Sequence, residues 1–276
     1  MNRQIERSAL GAWWHGHTPA DRAVRLGIGG GGLDRKPLGL LCSLLASDLI
    51  KGAHAITPVG GLDVDLLIAH GALSELTASY VGLERYGLAP HFRAARQSGA
   101  LRFNEWSEFA VVGGLRAACE RLPFYPARIG GDVVAQAGFR PVEDPYSGER
   151  LVAIPALPLD LALIHADLAD AGGNAVILGA PHVDPLMART ARTTLLSCER
   201  LVSTDELLQA AGRAGCDLLA IDVGAVLELP GGYGSRRSHA SVQGAEPTPD
   251  RMRAYLAAAA ERAPAEGLRA LMQERS

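Results

Sequence analysis

The chain has 276 residues, 48% hydrophobic, 21% charged and 5% aromatic, with a formal net charge of −3. That length suits one large α/β domain or two small ones, and the interspersed charges give no reason to expect nucleic acid or an anionic membrane as partner. No apolar run reaches the roughly 20 residues that a spanning helix takes.

The N-terminal MNRQIERSALGAWWHGH lacks the basic-then-apolar layout of a signal peptide. Cys42, Cys119, Cys198 and Cys216 are far apart and form no CxxC pair. They read as buried free thiols in a reducing compartment, so a cytoplasmic protein is expected. Residues 1–22 read as an irregular arm whose Trp13–Trp14 pair docks on something apolar, either this chain's core or a partner.

From Ala23, AVRLGIGGGG predicts a short strand entering a glycine loop, and LGLLCSLLASDLI after Pro37 predicts a helix with proline in its first turn. HAITPVGG and LTASYVG follow as strands, with DVDLLIAHGAL between them as a short helix. HFRAARQSG and SEFAVVGGLRAACERL carry helical spacing. Residues 145–148 form a turn into the strand RLVAIPAL, and LDLALIHADLAD is a long strand followed by GGN and AVILG. ARTARTTLLSCERLV and LLAIDVGAVLELPGG supply further strands around a short helix at 205–212. A loop at 243–249 precedes a terminal helical hairpin at 248–276, with Thr248 as its cap. Strand–helix alternation implies an α/β fold with a mainly parallel sheet and helices on both faces, and 1–276 reads as one domain.

The motifs are mostly generic. Gly27, Gly29 and Gly32 satisfy GxGxxG, yet no acid ends a strand about 20 residues on, as a dinucleotide site requires. A loop whose N–H groups face an anion or a developing oxyanion fits as well. Asp63 and Asp65 form a DxD that suits a helix N-terminus better than a metal. His15 and His17 lack a third ligand, so no metal is expected, and His165 on its apolar strand reads as a satisfied core histidine. No GxSxG, HExxH or P-loop lysine is present. The dense charges of residues 57–128 (Glu84, Arg93, Glu105, Glu108, Arg116, Arg128) lie among apolar runs and mark a site, because buried charge is costly unless paired or used.

Several segments together resemble the α (A) subunit of class I coenzyme A transferases, the glutaconate CoA-transferase A type above all. They are GGGGLDRKPLGLL, GGLDVDLLIAHGALSEL, YVGLERYGLAPHFRAA, EWSEF, GLRAACERLPFYPAR and PALPLDLALIHADLADAGGNAVILG. The resemblance implies the coenzyme A transferase type of α/β fold and a homologous β subunit in an αβ or α2β2 assembly. It implies acyl-CoA and a carboxylic acid as substrates, with coenzyme A as substrate and no permanently bound cofactor. In the family a glutamate attacks the thioester to give an acyl-glutamyl anhydride. Coenzyme A converts this to a glutamyl-CoA thioester, which passes CoA to the acceptor acid. In most members that glutamate is on the β subunit.

A similar group, active in steroid ring degradation, hydrolyses a carbon–carbon bond of a cyclic CoA thioester with a glutamate on the α subunit. The matching positions here are Glu108, with Glu105 as the near alternative, and Arg128. The alternative for Glu108 is a helix-start acid with Arg128 as its ion-pair partner. Gly29, Gly30, Gly31, Gly32, Arg35, Lys36 and Arg128 are expected to bind substrate or CoA. Departures from the family at WWHGH, at IGGDVVAQAG and in the short tail bear on the acyl pocket rather than the fold. A non-catalytic scaffold role is a third reading.

Overall fold

A computed structural model describes residues 2–233, 249–261 and 263–272. Helix α1 (Leu10–His17) precedes the first strand, β1 (Arg25–Ile28). Next come α2 (Leu38–Ala46), β2 (Ala53–Ile56), β3 (Val59–Gly60), α3 (Leu62–Ala69), β4 (Leu73–Ala78) and β5 (Tyr80–Val81). The segment from α4 (Pro90–Ser98) runs through β6 (Arg102–Glu105) into α5 (Glu108–Cys119). An appended region holds β7 (Phe124–Ala127), α6 (Asp132–Gln136), β8 (Arg140–Glu143) and β9 (Arg150–Pro155). Its strands pair antiparallel in the order β7-β9-β8.

The chain then returns through β10 (Leu159–Asp170), β11 (Ala175–Val176), α7 (Asp184–Thr190), β12 (Ala191–Val202), α8 (Thr204–Ala211) and β13 (Val223–Glu228). Helices α9 (Pro249–Ala260) and α10 (Pro264–Met272) follow. The main sheet runs β13-β12-β10-β1-β2-β4-β6, and every neighbouring pair on that path is parallel. The chain enters in the middle at β1, moves outward to β6, and comes back on β1's other flank at β10. The order therefore reverses between β1 and β10, and in open parallel sheets the crevice at such a reversal, outside the carboxyl ends of the strands, is where ligands bind.

Strand alternation divides the core. Along β10, Leu161 and Leu163 join the cluster containing residues of α1 to α4, α9 and α10, whereas Ala162, Ile164 and Ala166 join residues of α5 and α7. All twelve residues of β10 are buried, as a central strand covered on both faces requires. Its polar side chains find partners, Asp167 through Oδ2, which accepts from Leu178 N at 2.6 Å and Tyr233 Oη at 3.1 Å. Asp160 accepts from Arg22 at 2.6 and 2.7 Å, His165 meets Ser197 and Glu199 at 2.7 and 2.9 Å, and Asp170 holds Asn174 and Thr204. The four cysteines are free thiols.

Two expectations change here. Within the arm expected to be irregular, Leu10–His17 is helical, because Trp14, 3% exposed, packs into this chain's own core and gives the segment an apolar face to fold on. Trp13 packs beside it and stacks on His17. β6 escapes sequence reading, since RFNE carries one strong apolar residue and no alternation. Thr248 and the expected loop lie outside the described residues, except Pro249, which opens α9.

The turn after β1 is held from beneath by one carboxylate. Asp184, at the start of α7, accepts the Gly30 N–H at 2.7 Å through Oδ1 and pairs with Arg35 Nη1 at 2.8 Å through Oδ2. Both side chains are fully buried. Breaking a buried pair strands the remaining charge. Asp184→Asn keeps the acceptor for Gly30 but not the charge, so it should cost about 3–5 kcal/mol and lower Tm by roughly 6–20 °C. Trp14→Ala should cost about 3–5 kcal/mol as well, by opening a cavity in the core. Thermal unfolding of each variant measures both.

Candidate functional site

The carboxyl ends of β1, β2, β4 and β6 line one edge of the sheet and carry the segments at 29–37, 57–61, 79–89 and 106–107. In the first of these, Gly29 donates to Leu163 O at 3.0 Å, Gly31 to Asp34 O at 3.0 Å and Gly32 to Val59 O at 3.2 Å. Gly30 donates to Asp184, and Leu33 to Glu84 Oε1 at 3.1 Å. The expected anion-facing amides of Gly29, Gly30, Gly31 and Gly32 are thus all occupied internally, which corrects that expectation. Glycine is needed at 30 because φ is +73° and a Cβ would stand 2.5 Å from Asp34 O.

Arg35 and Lys36, expected to reach a ligand, are 0% and 1% exposed. Burial works against the Arg35 charge, but the Asp184 carboxylate more than offsets it and raises the guanidinium's pKa. Its Nε and Nη2 have no hydrogen-bond partner among the described residues. Lys36 Nζ reaches Asp63 at 3.0 Å and Thr57 at 3.1 Å. Both cations are therefore spent on the scaffold. The aspartates of the DxD are structural too. Asp63 caps the Gly61 N–H at 2.7 Å, and Asp65 accepts from Phe92 N and Tyr255 Oη at 2.8 and 2.7 Å. Burial pushes the Asp65 carboxyl up. Among the described residues no group of three His, Cys, Asp or Glu is placed to hold a metal.

Backbone strain gathers at the same loop. Among the described residues five non-glycines have positive φ, and three of them meet here: Arg35 at 53°, Glu84 at 50° and His182 at 49°. Arg35 lies in the loop and Glu84 accepts its Leu33 N–H. The His182 ring lies 3.6 Å from where a Cβ on Gly31 would be. Each such conformation costs about 1–3 kcal/mol, and strain of this kind concentrates where function over-determines the backbone.

The two candidate glutamates part company. Asn104 turns its side chain to Glu75 and Thr77, so Phe103 and Glu105 take the opposite face of β6, where Phe103 meets Phe92 of α4 edge-on. Glu105 lines a groove of about 360 Å³ with Tyr80, Leu88, Phe92, Arg93 and Arg96. Arg96 stacks its guanidinium on Phe103. Neither the Glu105 nor the Arg93 side chain has a hydrogen bond or ion pair among the described residues. Glu108 opens α5 behind the Ser107 cap and lines a different groove, of about 480 Å³, with Phe109, Arg116 and Tyr125. Arg128 is exposed and forks onto Glu149, both contacts at 2.5 Å. The Glu108–Arg128 ion pair of the alternative reading does not form, because the antiparallel pairing of β7 with β9 sets Glu149 beside Arg128. Sequence reading missed Asp184 and His182. The one signal for Asp184 was an acid followed by proline, a helix-start pattern.

No helix among the described residues is long and apolar enough to cross a membrane. Residues 25–213 match the model of the coenzyme A transferase family. The chain is 37% identical over 220 residues to the cholesterol ring-cleaving hydrolase IpdA subunit of Rhodococcus jostii strain RHA1, covering 76% of this chain and 74% of that one. It is 26% identical over 236 residues to the glutaconate CoA-transferase A subunit of Acidaminococcus fermentans, covering 77% and 71%. A crystal structure of the decarboxylase AibA/AibB superposes with a TM-score of 0.84 at 27% identity, covering 99% of this chain and 100% of that one. The protein described here belongs to the coenzyme A transferase family.

Proposed function

We propose that this chain is the α subunit of a two-subunit enzyme that moves coenzyme A between an acyl-CoA and a carboxylic acid through a glutamyl-CoA intermediate. The observation that carries the reading is the family match over residues 25–213, together with a relative named as the A subunit of a CoA-transferase. A homologous β subunit in an αβ or α2β2 assembly completes the site and carries the attacking glutamate. This chain supplies the wall against which the acyl group lies. Tyr80, Leu88 and Phe92 give the groove at the end of β6 apolar sides, and Arg93 and Arg96 give it positive charge suited to an acid acceptor.

A second reading, hydrolytic ring opening of a cyclic CoA thioester, is favoured by the higher identity to the Rhodococcus jostii protein. It requires a reacting carboxylate on this chain. Glu105, exposed and without a partner beside Arg93, suits that role better than Glu108.

Glu105→Gln and Glu108→Gln, each co-expressed with the partner and assayed on a panel of acyl-CoA donors, separate these readings. If the partner holds the nucleophile, Glu105→Gln should raise KM and largely spare kcat. If Glu105 reacts, kcat should fall by about 10²–10⁴. Collapse of kcat in Glu108→Gln with a normal Glu105→Gln would reverse the assignment, and a pair inert to every acyl-CoA would defeat both readings.

A further inference from the structure

His182 is not accounted for by the fold. Its backbone is left-handed, a conformation that asparagine or glycine adopts at less cost, and its side chain is 40% exposed. The ring rests on Gly31, and Nε2 points at Asp34 Oδ2, 3.6 Å away. Asp34 is 13% exposed and lies in the loop that Asp184 and Arg35 hold from beneath. Nδ1 is engaged by no described residue. A histidine with one nitrogen directed to a carboxylate and the other open is the arrangement of a general base, and in unliganded sites the orienting contact is often longer than a hydrogen bond.

We propose that His182, oriented by Asp34, is the general base that directs water onto the bound acyl-CoA, giving the enzyme hydrolytic activity. This rests on the reading of the chain as part of an enzyme that handles acyl-CoA. The chemistry explains why such a base matters. Exchange of CoA between two acids uses carboxylates and thiolates throughout, anions that need no proton moved. Water must lose a proton to attack. Here that proton passes to His182 Nδ1 while the water oxygen bonds to a carbonyl carbon of the substrate, and Asp34 stabilises the imidazolium. The bond from that carbon to its leaving atom then breaks, and Nδ1 returns the proton to the departing sulfur or ring carbon. A ring that only packs on Gly31 would instead matter to stability alone.

The test uses the co-expressed pair carrying His182→Gly, which relieves the backbone and opens room for added imidazole, and His182→Asn as a second variant that tolerates the same φ. Hydrolysis is read as uptake of heavy oxygen from labelled water into the product of 2-oxocyclohexanecarboxyl-CoA. Transfer is read with glutaryl-CoA and acetate. Both variants should lose about 100-fold or more of the hydrolytic rate. Tm should not fall, the ratio of hydrolysis to transfer should drop with the rate, and imidazole should restore part of the loss in His182→Gly.

Hydrolysis within about threefold of the parent in both variants would overturn the proposal. So would a loss that tracks a lowered Tm and resists imidazole. A pair that transfers CoA yet takes up no labelled oxygen would also remove the base while leaving the acyl-CoA reading intact. A pair that turns over neither thioester would remove both.

Discussion

The site depends on a single carboxylate. Asp184 comes to the sheet edge at the start of α7 and holds, with its two oxygens, the amide of Gly30 and the guanidinium of Arg35. The chain could not bury that arginine alone, since an uncompensated charge in the interior costs several kcal/mol. Once the pair is formed the loop after β1 has little freedom: its amides are turned inward and its outer surface is left to His182, Asp34 and Glu84. The strain at Arg35, Glu84 and His182 is sustained by this buried clamp and by the core on both sides of β10.

Much of the fold is legible in the sequence, for identifiable reasons. LDLALIHADLAD is apolar on both alternating faces apart from a few side chains that find partners, so it announces a central parallel strand. The helices after the glycine loop and after Ser107 carry helical spacing, and the order of strands and helices fixes the parallel sheet. RFNE, by contrast, is a strand only because β4 offers it a ladder. The tryptophan pair was ambiguous between own core and partner, a question that only the packing of Trp14 decides.

The site was legible in place but not in role. The glycine loop and the segment around Glu105, singled out by composition and charge, follow the carboxyl ends of β1 and β6. What each residue does depends on contacts distant in sequence. Arg35 and Lys36 look like ligand-binding cations until Asp184 and Asp63 are seen beside them. Glu105 and Glu108 look interchangeable until strand alternation and the start of a helix turn them into different grooves. Relatives named for ring cleavage and for CoA transfer, and a fold shared with a decarboxylase, fit this picture of a fixed sheet edge with chemistry set by the few side chains exposed on it.

On the proposed function, acyl-CoA is handled at the carboxyl edge of β1, β4 and β6. Hydrogen–deuterium exchange of the assembled pair, with and without a slowly reacting acyl-CoA analogue, tests it most directly. Protection in this chain should concentrate at 29–36, 79–93, 103–109 and 180–184, on top of whatever the partner already shields. Protection elsewhere, or none in this chain at saturating analogue, would contradict it.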